Sequence, residues 1–391
     1  MMKLLARRVL TGLVGVAAIA AVGLVTAGAA QAAFPKGANG SIAMATFDAS
    51  SSGLALIHPD GSGRSPLISS STLGHRAPAW SPTGRRLVYT EVAATTNDLF
   101  SIEPDGSGAV NLTNTPGPTF EGAAAFAPDG SAIAYQLEDV TQSDIWRMNA
   151  DGSGQVNLTN TGSANEFAPD FSPDGGRIVY QGPGTGGEEI WVMNADGSAP
   201  VNLTNTPGVS EFDPAFSPDG RSIVFIRYVT SCEIFVMSSS GGPATNLSNT
   251  PAFDECDPVF SPDGRKIAYE TDDGPQDDVY TMNADGSGQT NITNTPAPQN
   301  ELGVSWQPIQ KCGGRRVTIV GDDGPNRIKG TKKPDVIAGF GGRDVISGHG
   351  GSDRICGGSG KDKLVGGPGA KDVCSGGAGK DKGSACERGK L

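Results

Sequence analysis

The sequence predicts an all-β chain in which a six-bladed β-propeller, closed by its own N-terminal strands, is followed by a small parallel β-roll. Three observations predict it. A unit of about 45 residues recurs from about residue 41 to 308, a period that with its turn signals denotes propeller blades. The last of these units stops early, and the strands it lacks stand at the start of the repeat region. Beyond them, glycines and aspartates recur every nine residues.

The first element is a secretory signal peptide over residues 1–32. Lys3, Arg7 and Arg8 precede an apolar run from Val9 to Val25, and Ala30-Gln31-Ala32 offers a cleavage site. The expected location is therefore secreted and extracellular, or periplasmic and within the cell envelope. No later segment approaches the ~18 apolar residues that a membrane span needs, so no span is expected after cleavage.

The propeller is expected over residues 33–308. Its strongest marker is an aromatic residue followed by a turn: Trp80-Ser-Pro-Thr-Gly84, Phe126-Ala-Pro-Asp-Gly130, Phe171-Ser-Pro-Asp-Gly175, Phe216-Ser-Pro-Asp-Gly220 and Phe260-Ser-Pro-Asp-Gly264, with Trp306-Gln-Pro308 as a truncated sixth. A second turn follows in each unit, as in Asn149-Ala-Asp-Gly152 and Asn194-Ala-Asp-Gly197. Asp-Gly supplies the positive φ of a tight hairpin, so each unit reads as four short strands. Ser41–Phe47, Leu54–His58 and Ser65–Ile68 complete the truncated unit and close the ring, which removes exposed strand edges.

These residues resemble a family. The Phe-Ser-Pro-Asp-Gly, Met-Asn-x-Asp-Gly and Asn-Leu-Thr pattern is similar to the TolB-type propeller repeats, relatives of the WD repeat. The resemblance implies the fold and a channel mouth used to bind protein partners; it implies no particular activity, since such propellers serve as binding modules and as parts of enzymes.

Glu121, Glu166, Glu211, Glu255 and Glu301 each lie five residues before the marker aromatic, and His75 lies five before Trp80. That position enters the innermost strand, so the six are expected to surround one mouth of the channel. Asp277-Asp278 and Glu188-Glu189 belong to loops on the same face. The expected property is an acidic mouth that focuses a cation, a basic peptide or a partner's loop. The competing expectation is that each Glu caps a backbone amide and stabilises its own blade. Asn111, Asn157, Asn202, Asn246 and Asn291 begin Asn-x-Ser/Thr sequons at one repeated position, which reads as strand and turn chemistry.

Residues 309–325 read as a linker, and residues 326–391 carry the sharpest chemistry. Asp335, Asp344, Asp353 and Asp362 are spaced by nine, and Asp372 and Asp381 continue after a one-residue insertion. Gly339 and Gly341, Gly348 and Gly350, Gly357 and Gly360, and Gly376 and Gly379 precede them, and Ile337, Ile346, Ile355 and Leu364 follow. The pattern resembles the calcium-binding nonapeptide repeat of RTX-type proteins, and the resemblance implies calcium as the cofactor. Glycine permits the turns and bares carbonyl oxygens, aspartate adds carboxylate, and calcium takes 6–8 such oxygens. Each site needs two turns, pairing Asp335 with Asp353, Asp344 with Asp362, Asp353 with Asp372 and Asp362 with Asp381.

Six cysteines in an exported chain favour disulfides over metal thiolates. Cys232 and Cys256 fall in two loops of one propeller face and are expected to pair. Cys374 is expected to bond Cys386, which leaves Cys312 with Cys356. Charge divides unevenly: residues 33–312 carry 33 acidic and 12 basic residues, and residues 313–391 carry 9 acidic and 15 basic. The tail's cations are scattered among glycines with no aromatic partner to stack a base, and the acidic propeller repels phosphate, so no nucleic-acid partner is expected. No nucleophile elbow, His-Glu-x-x-His or triad can be assembled from three histidines. The function expected is a secreted, non-enzymatic, calcium-binding protein whose propeller binds a protein, peptide or surface ligand. The alternatives are a propeller enzyme acting on an extracellular polysaccharide or lactone through a channel-bound metal, and a structural cell-surface protein.

Overall fold

The computed structural model describes residues 38–390 except 163, 273, 275, 297, 310, 314, 322–324, 341 and 369–370. The signal peptide expected over residues 1–32 lies outside them. All regular structure among the described residues is β, and no helix there is long and apolar enough to cross a membrane.

From residue 38 to 309 the chain forms antiparallel groups of four strands. The repeat dictates this: each Asp-Gly turn reverses the chain, and alternate residues of each strand face a neighbouring sheet. One group runs Gly74–Trp80, Leu87–Val92, Asn97–Ile102 and Val110–Asn111, and the next Phe120–Phe126, Ala132–Glu138, Ser143–Asn149 and Val156–Asn157. A single parallel pairing of Asn97 with Phe120 joins these two. Three further groups start with Phe167–Phe171, Glu211–Phe216 and Glu255–Phe260. In the remaining group the order is Asn300–Ile309, Ala38–Phe47, Ser52–Ile57, Ser65–Ser70, and Ile42 pairs with Trp306. This sheet therefore unites residues more than 200 positions apart.

The marker aromatics are the bulk of the core. Trp80 and Trp306 are fully buried, and Phe126, Phe171, Phe216 and Phe260 nearly so. Each packs with side chains of two sheets, as Phe216 does with Val179 and Ile190 of one and Phe225 of another. The second turn of each group reaches the sheet before it. Gly152 sits at φ 87°, and a Cβ there would collide with the Leu112 carbonyl. Every innermost strand also carries a bulge two residues beyond the His75/Glu position, where Ala77, Ala123, Ala168, Asp213, Asp257 and Gly303 all take φ between 46° and 59°. Such left-handed backbone is costly for the five that are not glycine, and the bulges re-aim the strand where the sheets crowd together.

After residue 318 the strands become parallel and very short. Ile319–Val320, Val336–Phe340, Arg354–Ser359, Val373–Ala378 and Arg388–Lys390 form one sheet, and Arg327–Lys329, Val345–Ser347, Lys363–Val365 and Lys382–Ser384 the other. Ile337, Ile346, Ile355, Leu364 and Cys374 are fully buried between them. Disulfides join Cys312 to Cys356 and Cys374 to Cys386, across 44 and 12 residues.

Cys232 and Cys256, expected to pair, are both buried and share one cluster with Ile226, Phe212 and Tyr228.

Candidate functional sites in the roll and the propeller

In the roll, the turn geometry stacks aspartates two turns apart. The backbone N–H of Asp335 donates to Asp353 Oδ1 (2.9 Å), Asp344 to Asp362 (2.9 Å), Asp353 to Asp372 (2.8 Å) and Asp362 to Asp381 (2.9 Å). Each pairing joins residues 18 or 19 apart, because one full coil of the roll consumes two nine-residue turns. Asp335, Asp344, Asp353, Asp362 and Asp372 are 0–8 % exposed, so these carboxylates face inward.

One oxygen of each acceptor carboxylate is thus engaged. The Oδ2 atoms of Asp353, Asp362 and Asp381 are buried with no hydrogen-bond partner. They lie against bare glycine backbone. A Cβ on Gly348 would collide with Asp353 Oδ2 and lie 2.5 Å from the Gly366 carbonyl oxygen; Gly357 stands in the same relation to Asp362 Oδ2 and the Gly376 carbonyl, and Gly376 to Asp381. Gly341 falls outside the described residues, while Gly350, Gly360 and Gly379 serve the stacked turns. Burial raises the pKa of Asp353 and Asp362, and the neighbouring carboxylates add to the rise. The donor set is oxygen alone, one carboxylate per turn with backbone carbonyls beside it. Such a cradle fits a hard cation of calcium's flexible coordination. No group of three His, Cys, Asp or Glu side chains gathers for a metal among the described residues, so carbonyl oxygens carry much of any coordination here.

The glutamates of the propeller do not form an open acidic mouth. Glu121, Glu166, Glu211, Glu255 and Glu301 are 0–2 % exposed and His75 is 4 % exposed. Four of the five Glu find side-chain partners rather than backbone amides. Thr161 Oγ1 donates to Glu166 (3.0 Å), Ser248 (3.2 Å) and Thr250 to Glu255, and Thr295 to Glu301 (2.9 Å). Arg64 pairs with Glu301 and Arg227 with Glu211, each at 2.7 Å. His75 hydrogen-bonds Ser52 through its backbone N–H (2.9 Å) and ring, and burial lowers its pKa. Crowding of neighbouring sheets at the entry to each innermost strand covers these groups.

Asp278 and Glu189, expected on acidic loops, are likewise buried. They belong to a set the motif search missed: Asp98, Asp144, Glu189, Glu233 and Asp278, each near the start of a third strand. Each accepts from the sequon asparagine of its own sheet: Asn111 to Asp98 (3.1 Å), Asn157 to Asp144 (2.9 Å), Asn291 to Asp278 (2.8 Å), and Asn202 and Asn246 to Glu189 and Glu233. The same asparagines accept backbone N–H groups two and three residues on, as Asn157 does from Thr159 and Asn160. The signal was present as an acid standing 13 residues before every sequon.

Burial pushes Glu255 up to about 7, against the hydrogen bonds from Thr250 and Ser248 and with the help of Glu233 and Asp254. An unfolded glutamate titrates near about 4.3. The folded form therefore keeps a proton that the unfolded form has released, and stability from this group is full below about pH 4.3 and lost as pH rises through about 7. Glu255→Gln is expected to raise the melting temperature at pH 8 by a few degrees and leave it unchanged at pH 4. Melts at the two pH values check this; equal shifts would mean the carboxylate is ionised throughout.

Comparison with known proteins places these features. Residues 205–311 match the TolB beta propeller domain, and residues 320–355, 339–370 and 350–382 match the RTX calcium-binding nonapeptide repeat. The fold is similar to TolB from Acinetobacter baumannii at 19 % identity and a TM-score of 0.59, over 69 % of this chain and 67 % of that one. A putative TolB from Agrobacterium tumefaciens aligns at 19 % identity and a TM-score of 0.53, over 69 % of this chain and all of that one. The Kuenenia stuttgartiensis hydrazine synthase aligns at 13 % identity and 0.58, over 70 % of this chain and 47 % of that one. No curated protein sequence matches the chain. At these identities the structural likeness speaks for fold alone. The chain carries a TolB-type propeller segment followed by RTX calcium-binding nonapeptide repeats.

Proposed function

We propose that this is an exported binding protein, non-enzymatic and held in shape by calcium. Residues 33–308 would form a six-bladed propeller closed by Ala38–Phe47 against Asn300–Ile309, and residues 326–391 a calcium-loaded roll. The observation that carries the calcium reading is the row of buried Oδ2 atoms at Asp353, Asp362 and Asp381, each set against glycine backbone. Calcium would be held by Asp335, Asp344, Asp353, Asp362, Asp372 and Asp381 with carbonyl oxygens of the turns. An extracellular or envelope location suits both parts, since weak calcium sites of about 10⁻⁴–10⁻³ M are the kind used by extracellular modules.

The binding surface proposed on the propeller is the face onto which the loops between second and third strands open. The glutamates beneath it are buried, so recognition falls to what stands above them. Val140 is 81 % exposed, Val229 57 % and Phe253 37 %, all on loops of that face. Exposed apolar side chains on protruding loops suit a protein ligand better than a cation. Immobilised full-length protein in calcium is expected to retain a defined component of the culture medium, and Val140→Lys with Val229→Lys to release it. Equal retention by both proteins would overturn the assignment of the face, and turnover of lactone or polysaccharide substrates would overturn the non-enzymatic reading.

A further inference from the structure

Two Lys-Asp-Lys triplets, Lys361-Asp362-Lys363 and Lys380-Asp381-Lys382, recur in the roll, and Arg343-Asp344-Val345 stands at the equivalent place one coil earlier. Calcium coordination accounts for the aspartates but asks nothing of the residues beside them. Because the N–H of Asp344 donates to Asp362 and that of Asp362 to Asp381, the three triplets stack coil upon coil along one edge of the roll. The strands that follow continue the stack: Arg327, Val345, Lys363 and Lys382 are register partners in successive parallel strands. Ile346 and Leu364 are buried in the core, so by the alternation of a strand the residues on either side of them point outward. Arg327, Arg343, Lys361, Lys363, Lys380 and Lys382 are all exposed. None of these six side chains enters an ion pair or hydrogen bond among the described residues.

The charge is one-sided. On the opposite edge Asp335 is flanked by Pro334 and Val336, Asp353 by Ser352 and Arg354, and Asp372 by Lys371 and Val373. The other sheet is also covered on its outer side, where the Cys312–Cys356 disulfide lays Lys311–Cys312 against Arg354–Ser359. The four strands of the basic sheet hold no acidic residue, and no large apolar side chain of the roll is exposed among the described residues. These features select a partner. Insertion into a bilayer surface needs apolar groups, a single-stranded nucleic acid needs aromatic planes for its bases, and protein interfaces are depleted in lysine. An acidic polysaccharide needs none of these. Along each file the cations recur at the strand spacing of about 4.8 Å, which is comparable to the length of one sugar unit. A chain with one carboxylate per sugar therefore meets successive cations without bending.

We propose that this face of the roll binds a linear acidic polysaccharide carrying one carboxylate per sugar, and that calcium switches the binding on. The switch rests on the calcium reading of the aspartate ladder. Without the ion, Asp344, Asp362 and Asp381 stand between the cations and cancel much of their field. Calcium neutralises those carboxylates, so that the cations alone face the solvent, and it holds the coils at the spacing that sets the lysines in file. By linkage, the polysaccharide tightens calcium binding by the same factor by which calcium tightens the polysaccharide.

Titration calorimetry of the full-length protein with an oligogalacturonate too short to gel in calcium tests this. The expected result is binding in calcium that weakens as salt rises and is lost in chelator. Lys361→Gln with Lys363→Gln and Lys382→Gln is expected to weaken it by more than about tenfold. The charge-matched set Lys332→Gln, Lys333→Gln and Lys371→Gln, on the opposite edge, is expected to change it by less than about twofold. All six lysines are exposed, and the first variant is expected to take up calcium at least as tightly as the wild type, since it removes like charge from beside the ions. Should that variant lose calcium, Lys363→Gln and Lys371→Gln are compared singly in its place. Equal weakening on the two edges, or tighter binding of DNA or of phosphatidylglycerol vesicles, would overturn the proposal. Calcium uptake without sugar binding would also overturn it and leave the calcium reading standing. Sugar binding that persists in chelator refutes the switch, and absent calcium uptake refutes the switch together with the calcium reading.

Discussion

Withdrawing calcium is expected to unfold residues 326–391 while the strands between 38 and 309 stay ordered. Residues 313–391 contain 22 glycines, and each ordered glycine costs ~0.5–1 kcal/mol more than alanine. Against this the roll buries a single file of Ile337, Ile346, Ile355, Leu364 and Cys374, at ~1.5–3 kcal/mol for each large apolar side chain. Its inward aspartates repel one another across successive turns, and Asp335 and Asp372 both raise the pKa of Asp353. Calcium reverses the sign of that interaction and binds only the folded coil. One site at 100 times its dissociation constant adds ~2.7 kcal/mol, and several sites add in proportion. The two disulfides keep the unfolded tail compact but supply none of the missing charge. Hydrogen exchange on the full-length protein should show the amides of Val345–Ser347 and Lys363–Val365 protected in calcium and exchanging freely in chelator. Asp353→Ala should unfold the roll even in calcium, because it removes the Oδ1 that accepts the Asp335 N–H and the buried Oδ2 set against Gly348. Protection that ignores calcium would refute the coupling.

Deleting residues 38–47 is expected to drive the protein into aggregates. Ala38–Phe47 lies between Ser52–Ile57 and Asn300–Ile309 and bonds to both. Its loss strips Ile42 and Met44, both fully buried, from a cluster that includes Trp306 and Val304, at roughly 1.5–3 kcal/mol for each side chain. It also leaves two long strand edges with unpaired backbone groups, which recruit other chains. Size-exclusion chromatography of the deletion beside the wild type reads the outcome. A deletion that does not aggregate and keeps the wild-type melting temperature would show that the neighbouring sheets do not depend on this strand.

Much of this was legible in the residues. The 45-residue period, the Asp-Gly turns and the nine-residue aspartate ladder are local patterns, repeated because each unit buries its apolar face only against a copy of itself. Even the pairing of Asp335 with Asp353 follows from spacing, since one coil of the roll takes two turns. The Cys374–Cys386 disulfide followed from nearness in the chain, whereas Cys312–Cys356, 44 residues apart, was reached only as the pair left over. What the sequence could not carry was the fit between sheets. Glu121, Glu166, Glu211, Glu255 and Glu301 were visible as a ring, but their burial depends on how closely neighbouring sheets crowd together. The same fit gave Asp170 the Phe216 N–H and Glu270 the Gly303 N–H as donors. It also brought Cys232 and Cys256 into one apolar cluster. Repetition along a chain sets which residue types recur at a position and their partners within a sheet, whereas partners such as Phe216 for Asp170 are chosen across a seam by sheets that meet only in the folded molecule.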